Sequence, residues 1–293
     1  MASVTRQAPR LAARRSRSLV PPLLRRVLSY REGRFGFALL FVIAFVVIAG
    51  PAIAPDSPFA TTGIPLSGPS LAHLLGTDEL GRDVLSRVLG GGRDVVLLPV
   101  AGILGAFLLG GVTGLISGYG GGWPDRVYTA VVNVALSVPA LLVVLILVGA
   151  GKDSPGVIVT AIALVYAPGI ARIVRGAAQA AGRSEYVDVA RLRGEGITSI
   201  AVREVLPNVA GTVAVQLALS CTQAVLLLAT LDFLGVGAQP PSPSWGLMIA
   251  DGEQIVVLQP LALVGPAVAL ILLALAFNLL SGALQRAAAE RQR

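Results

Sequence analysis

The chain has 293 residues, of which 55% are hydrophobic and only 13% charged, with a mean hydropathy of +0.79 and a net charge of +7. A soluble domain carries about 25% charged residues, so these figures exclude a large soluble core and indicate a polytopic helical membrane protein. One cysteine, Cys221, and one histidine, His73, exclude a disulfide framework and offer no metal cluster or Ser/His/Asp set; His73 has no companion ligand beside it in the sequence, and both residues read as bland.

Residues 1–34 hold nine arginines and one glutamate, so the rest of the chain is close to neutral, at −1. A basic tail beside a membrane span reads as an orientation signal and a lipid-headgroup contact rather than a nucleic-acid-binding arm. Arg14-Arg15, an apolar run and "AIA" at 52–54 mimic a cleaved export signal. The run is long enough to span, however, and five more follow, which favours an uncleaved anchor. Six segments are predicted to cross the ~30 Å hydrocarbon layer: 36–54, 95–117, 127–149, 156–174, 209–231 and 261–283. With the N-terminus inside, the cytoplasmic pieces carry nineteen Arg/Lys and the external ones four, which places both termini in the cytoplasm.

The resulting organisation is an Arg-rich tail (1–34), a first span with an external amphipathic segment (35–94), a core (95–284) containing a cytoplasmic loop at 175–208, and a C-terminal tail (285–293). Gly110, Gly114 and Gly118 recur at every fourth position, a ridge that lets helices approach closely in lipid. Pro139, Pro168 and Pro266 fall inside spans, where they disturb the hydrogen-bond ladder and allow bends. Asn133, Tyr166, Gln216, Thr222, Gln223 and Asn278 are neutral polar residues within spans, expected to hydrogen-bond between helices. The external "GTDELGRDVLSR" and "QPPSPSWG" suit either a cover over the bundle or a receptor surface for an external protein. No G-x-x-x-x-G-K-[ST] occurs. Ionisable groups are absent from the span centres, which argues against a proton-coupled carrier.

One cytoplasmic stretch, "SEYVDVARLRGEGITSIAVREVLPN" (184–208), is polar. Ser184 suits an N-cap, and Glu185 and Asp188 fall in a first helical turn where the dipole favours negative charge. Arg191 and Arg193 fall in the last turn, and Gly194 suits the left-handed residue that ends the helix. A second helix is predicted from Ile197 or Thr198 to Leu206, stopped by Pro207. Helices this short are marginal alone, so they need support. Tyr186, Val189, Ala190 and Arg193 form one face of the first. The pattern indicates a docking element for a soluble partner rather than an ordinary loop. From the residues alone, a transporter subunit, a free-standing channel or secondary carrier, and a membrane scaffold for a cytoplasmic partner all stay open.

The stretch resembles the cytoplasmic signature loop of ABC importer permeases, E-A-A, three residues, Gly, nine residues, Ile, any residue, Leu-Pro. Asp188-Val189-Ala190 stands at Glu-Ala-Ala, Gly194 at the glycine, Glu204 at the isoleucine and Leu206-Pro207 at the end. "HLLGTDELGRDVLSRVLGGGR" (73–93), "SGYGGGWPDRV" (117–127), "EYVDVAR" (185–191) and "FLGVGAQPPSPSWGLMIADG" (233–252) are similar to the second membrane subunit of the dipeptide/oligopeptide/nickel group. The resemblance covers most of 35–287 and implies an all-α, six-helix type I importer permease fold. It implies a pathway for peptides, or a related small solute such as a nickel chelate or a glutathione-like compound. The implied partners are a second homologous permease forming a heterodimer, two ABC ATPase subunits or domains, an extracytoplasmic substrate-binding protein and the lipid bilayer, without nucleic acid. It implies no catalytic, cofactor or metal residues in this chain. Glu185, Asp188, Ala190, Arg191, Gly194, Leu206 and Pro207 are implied as the ATPase-coupling element, with Tyr186 and Arg193 beside them.

Overall fold

A computed structural model describes residues 22–151 and 154–290; the side chains at 22–24, 186, 191, 197 and 198 lie outside that description, as do the tail residues before 22 and after 290. The helices are α1 (Pro22–Ser29), α2 (Arg31–Ile53), α3 (Val84–Gly120), α4 (Gly122–Ser137), α5 (Ala140–Ala150), α6 (Pro155–Gly182), α7 (Glu185–Leu192), α8 (Ile197–Ile200), α9 (Ala201–Phe233), α10 (Trp245–Gln254) and α11 (Leu261–Ala289). Five of these, α2, α3, α6, α9 and α11, are each long and apolar enough to cross a membrane.

The span predicted over 127–149 is not a single helix but a bent pair. α4 and α5 meet at a bend of 80° and qualify only as a pair. Pro139 explains the break: it lacks an N–H, its ring clashes with the carbonyl four residues back, and it forces the preceding residue out of helix. Val138 is accordingly extended (φ −84°, ψ 127°), and the Pro139 carbonyl starts the next helix by accepting from Leu142 and Val143 at 3.1 and 3.3 Å. Pro168 and Pro266 remain inside continuous helices.

The two chain ends settle the number of crossings. Arg286 Nη2 lies 3.0 Å from Glu32 Oε1, and α1, directly before α2, packs its Val27 against Ala283 and Ala287. The start of α2 and the end of α11 therefore lie on one side. Five crossings would separate them; the α4–α5 pair must act as one broken span, giving six.

Apolar side chains divide between a packed interior and a lipid-facing surface. Val95, Ile103, Val144, Ile162 and Leu273 are fully buried, whereas Phe41, Ile48 and Ile146 point outward. Along α3, the glycine ridge does what its spacing implies. A Cβ at Gly110, Gly114 or Gly118 would collide with the carbonyl oxygen of Ala167, Ala171 or Arg175 respectively, one turn apart on α6. Gly114→Leu is expected to lower the detergent melting temperature markedly, because overpacking alone costs roughly 1–3 kcal/mol and here the obstacle is backbone. A thermal melt of the purified variant checks this.

Three of the six neutral polar residues depart from expectation. Gln216 bonds Ser220 Oγ at 3.1 Å, Thr222 bonds the Ala218 carbonyl at 3.4 Å and Asn278 bonds the Ala274 carbonyl at 3.0 Å. All three return to their own helix at i±4, the local alternative open to short polar side chains.

On the outer side, residues 54–83 and 234–260 form a cover. The second span starts at Val84 rather than 95 because Asp83 caps it, accepting from the Ser86 N–H at 2.7 Å. Arg87, 2% exposed, donates to the carbonyls of Pro58, Pro241 and Ser242 at 3.2–3.5 Å. Arg82 Nε bonds Asp78 Oδ2 at 2.6 Å. Trp245 is buried and donates Nε1–H to the Val88 carbonyl at 2.8 Å, while Gln259 reaches the Ser67 carbonyl at 2.8 Å. Asp232 accepts from the Ala238 N–H and the Ser244 hydroxyl. These polar groups are spent internally and Trp245 is 1% exposed, so they hold the cover together.

Candidate functional site

The polar stretch folds as a bracket between the end of α6 and the start of α9. Ser184 takes the N-cap position: its carbonyl accepts from the Val187 and Asp188 N–H groups at 2.9 and 3.3 Å. α7 ends as predicted. Gly194 has φ +76°, and the Glu195 N–H reaches back to the Ala190 carbonyl at 3.2 Å, the six-to-one bond of a Schellman close that needs a left-handed residue there.

The inner face of α7 is Val187 and Ala190, 0% and 2% exposed. These pack with Ala178 of α6 and with Ile200, Val205 and Val209, flanked by Leu115 and Tyr119 of α3. The outer face carries Glu185, Asp188, Val189 and Leu192, the last 89% exposed. This corrects the face predicted from sequence: Ala190 is an anchor turned inward, away from Val189. Arg191 lies within α7, but its side chain and that of Tyr186 lie outside the described residues. Leu192, which no motif flags, is the largest apolar group at the tip.

A second correction concerns Pro207. It does not end a helix. The chain runs from α8 through a π turn, Ala201–Val205, into α9, with Pro207 in the first turn after it. A π turn admits an extra residue and leaves the Leu206 N–H bonded to the Ala201 carbonyl, so the widened backbone accommodates the proline ring and its missing donor. Leu206 and Pro207 are both exposed, and the next turn is secured by Asn208 Nδ2 on the Glu204 carbonyl at 2.7 Å. α8 is therefore continuous with the fifth crossing, with no loop between them.

A brace that the sequence reading missed holds the other side. Asp125 of α4 receives Arg175 Nε and Nη2, both at 2.6 Å, the Ser117 hydroxyl at 2.6 Å and Gln179 Nε2 at 3.3 Å. Arg175 and Gln179 are one turn apart on α6, directly before α7. This two-pronged, charge-assisted pairing is the strong kind, and it ties α3, α4 and α6 together where the bracket begins. The signal was present, since Asp125 lies in "SGYGGGWPDRV" and Arg175 was counted as a cytoplasmic charge. Only the fold places them 50 residues apart in sequence yet in contact.

The chain matches the family of binding-protein-dependent transport system inner membrane components over residues 110–293. It belongs to that family. It is also 34% identical over 220 residues to the glutathione transport system permease protein GsiD of Pectobacterium atrosepticum, covering 75% of this chain and 73% of the relative. It is 33% identical over 264 residues to the dipeptide transport system permease protein DppC of Haemophilus influenzae, covering 88% and 90%. A DppC of Alkalihalophilus pseudofirmus is 32% identical over 252 residues, covering 85% and 83%. This permease is thus a multi-pass inner-membrane subunit of an ABC transporter, without catalysis of its own, working with an ATPase and a binding protein.

Proposed function

We propose that this permease forms one half of the import pathway for peptides of dipeptide to tripeptide size, the other half being a second homologous permease, above two ATPase subunits or domains. The substrate class rests on the relatives, which are named for dipeptide and glutathione transport; glutathione is itself a small peptide. The observation that carries the coupling role is the two-faced α7. Val187 and Ala190 anchor it, and Glu185, Asp188, Val189 and Leu192 face out beside a glycine-closed end. An exposed apolar tip ringed by charge suits insertion into a groove of a soluble partner. Glu185, Asp188 and Leu192 make the contact, Ala190 and Gly194 set the shape, and Leu206 and Pro207 stand near the start of α9; Arg191 belongs to the same helix as Leu192.

Leu192→Cys is the direct test. In membranes containing the assembled transporter, a short bifunctional reagent should link it to the ATPase subunit and to no external protein. Crosslinks only to lipid or to the binding protein would refute the reading. The purified permease by itself should hydrolyse no ATP, since it has no phosphate-binding loop; a phosphate-release assay on preparations free of the ATPase checks this.

A further inference from the structure

Beyond that reading, the external cover brings together three metal-ligating side chains that the sequence keeps apart. Asp56 follows α2, His73 lies in the external loop and Asp83 caps α3; one ligand atom from each lies within 4.8 Å of the others. We propose that Asp56, His73 and Asp83 form a binding site for a divalent cation of the Zn²⁺ type on the extracytoplasmic side of the permease.

The geometry selects the atoms. His73 Nδ1 is 3.1 Å from Asp83 Oδ1 and 3.8 Å from Asp56 Oδ2. Its Nε2 edge is turned away, toward Gly63, where a Cβ would come within 2.8 Å of it, so Nδ1 is the nitrogen offered. Zinc holds N and O donors at about 2.0–2.2 Å in a tetrahedron, which sets donors roughly 3.4 Å apart. These two separations bracket that value, and the third, between the carboxylates, is within 4.8 Å. Three protein donors leave a fourth position for water.

The surroundings hold the donors in place. Asp83 is 1% exposed at its side chain and uses its other oxygen on the Ser86 N–H, while its Oδ1 pairs with His73 Nδ1 at 3.1 Å, a contact that a bound ion would replace. Asp56 is held by its own N–H on Ser86 Oγ at 3.0 Å, and its Oδ2 also accepts from Thr62 Oγ1 at 3.2 Å. The His73 N–H bonds Ser70 Oγ at 3.0 Å. Outer-shell bonds of this sort fix ligand orientation.

Charge points the same way. The site holds two carboxylates and a single imidazole. The nearest arginines are committed elsewhere: Arg82 to Asp78 at 2.6 Å, and Arg87 to Asp78 at 3.6 Å and to three carbonyls. A divalent ion would balance the two carboxylates. An imidazole with two carboxylates suits zinc-like ions better than magnesium. Bound there, the ion would pin the end of α2, the external loop and the start of α3 to one another.

The test uses the tag-free, full-length permease in detergent, stripped with a chelator. Calorimetric titration with Zn²⁺, and visible absorption on titration with Co²⁺, should each show one ion per chain. His73→Gln and Asp56→Asn should each weaken binding at least about tenfold, the scale on which ligand-shell changes act. Asp56→Asn keeps the test open if His73→Gln fails to fold, because Asp56 is 29% exposed and caps no helix. Absence of saturable Zn²⁺ binding, or one-to-one binding unchanged by Asp56→Asn in a folded protein, would overturn the proposal and leave the triad a hydrogen-bonded strut.

Discussion

Gly194→Trp is expected to insert and assemble normally while ATP-driven uptake falls at least about tenfold, the equivalent of 1.4 kcal/mol at the coupling contact. Nothing lies within 4 Å of the position a Cβ would take at Gly194, so a side chain there starts into open space. The internal penalty is the left-handed backbone, φ +76°, which costs a non-glycine residue about 1–2 kcal/mol. That is too little to unfold six packed crossings. The damage falls on what approaches from outside, because the indole would project beside Leu192 where the partner must seat. Gly194→Ala separates the two effects: it carries the backbone penalty without the bulk and should retain most uptake. Proteoliposomes containing the complete transporter give uptake and ATP hydrolysis together. Normal uptake by a well-expressed Gly194→Trp variant would defeat the coupling assignment.

The second large effect is expected at the brace. Removing one member of a buried ion pair leaves a charge with no counter-charge and costs roughly 3–5 kcal/mol. Asp125 and Arg175 are 10% and 21% exposed at their side chains, so the lower end of that range is expected for Asp125→Asn or Arg175→Leu. Both should lower the detergent melting temperature. Both should also reduce uptake per ATP hydrolysed, since α6 would no longer be held against α3 and α4 just before α7. In the double variant no charge is stranded, so its loss of stability should be clearly less than the sum of the single losses. Strict additivity in thermal melts would show that the two side chains do not act as a pair.

The comparison of sequence with structure turns on range. Gly194 was legible because a helix C-terminus is a local event: acidic residues at the start, arginines at the end and a glycine beyond them decide it within ten residues. The glycine ridge was legible for the same reason, since a spacing of four states which face is bare even before the neighbour is known. Pro139 and Pro207 show where local rules stop. Both prolines remove the same donor and create the same clash, yet one produces an 80° break and the other a helix that continues through a π turn. The difference lies in what each backbone can pack against. The Pro207 turn is anchored by Val205 and Val209 against α6 and α7, whereas Val138 and Pro139 are exposed and leave the chain free to turn.

The face of α7 was misassigned for a related reason. Val187 and Val189 are equally apolar, and an eight-residue helix holds too few turns for periodicity to choose between them; contact with Ala178, Ile200 and Val205 chooses. Asp125 with Arg175, and His73 with Asp56 and Asp83, were invisible as sets because their members are separated by 50 residues, or by 10 and more, with unrelated sequence between.

By itself the sequence determined that this protein lives in a membrane, because that depends on transfer free energies summed along the chain, and its charge counts predict which side each segment faces. The tertiary structure alone decided which span is broken, which face of α7 is offered and which distant charges meet. Those outcomes depend on close contact between elements, and contact energies belong to pairs of residues that no one-dimensional pattern brings together.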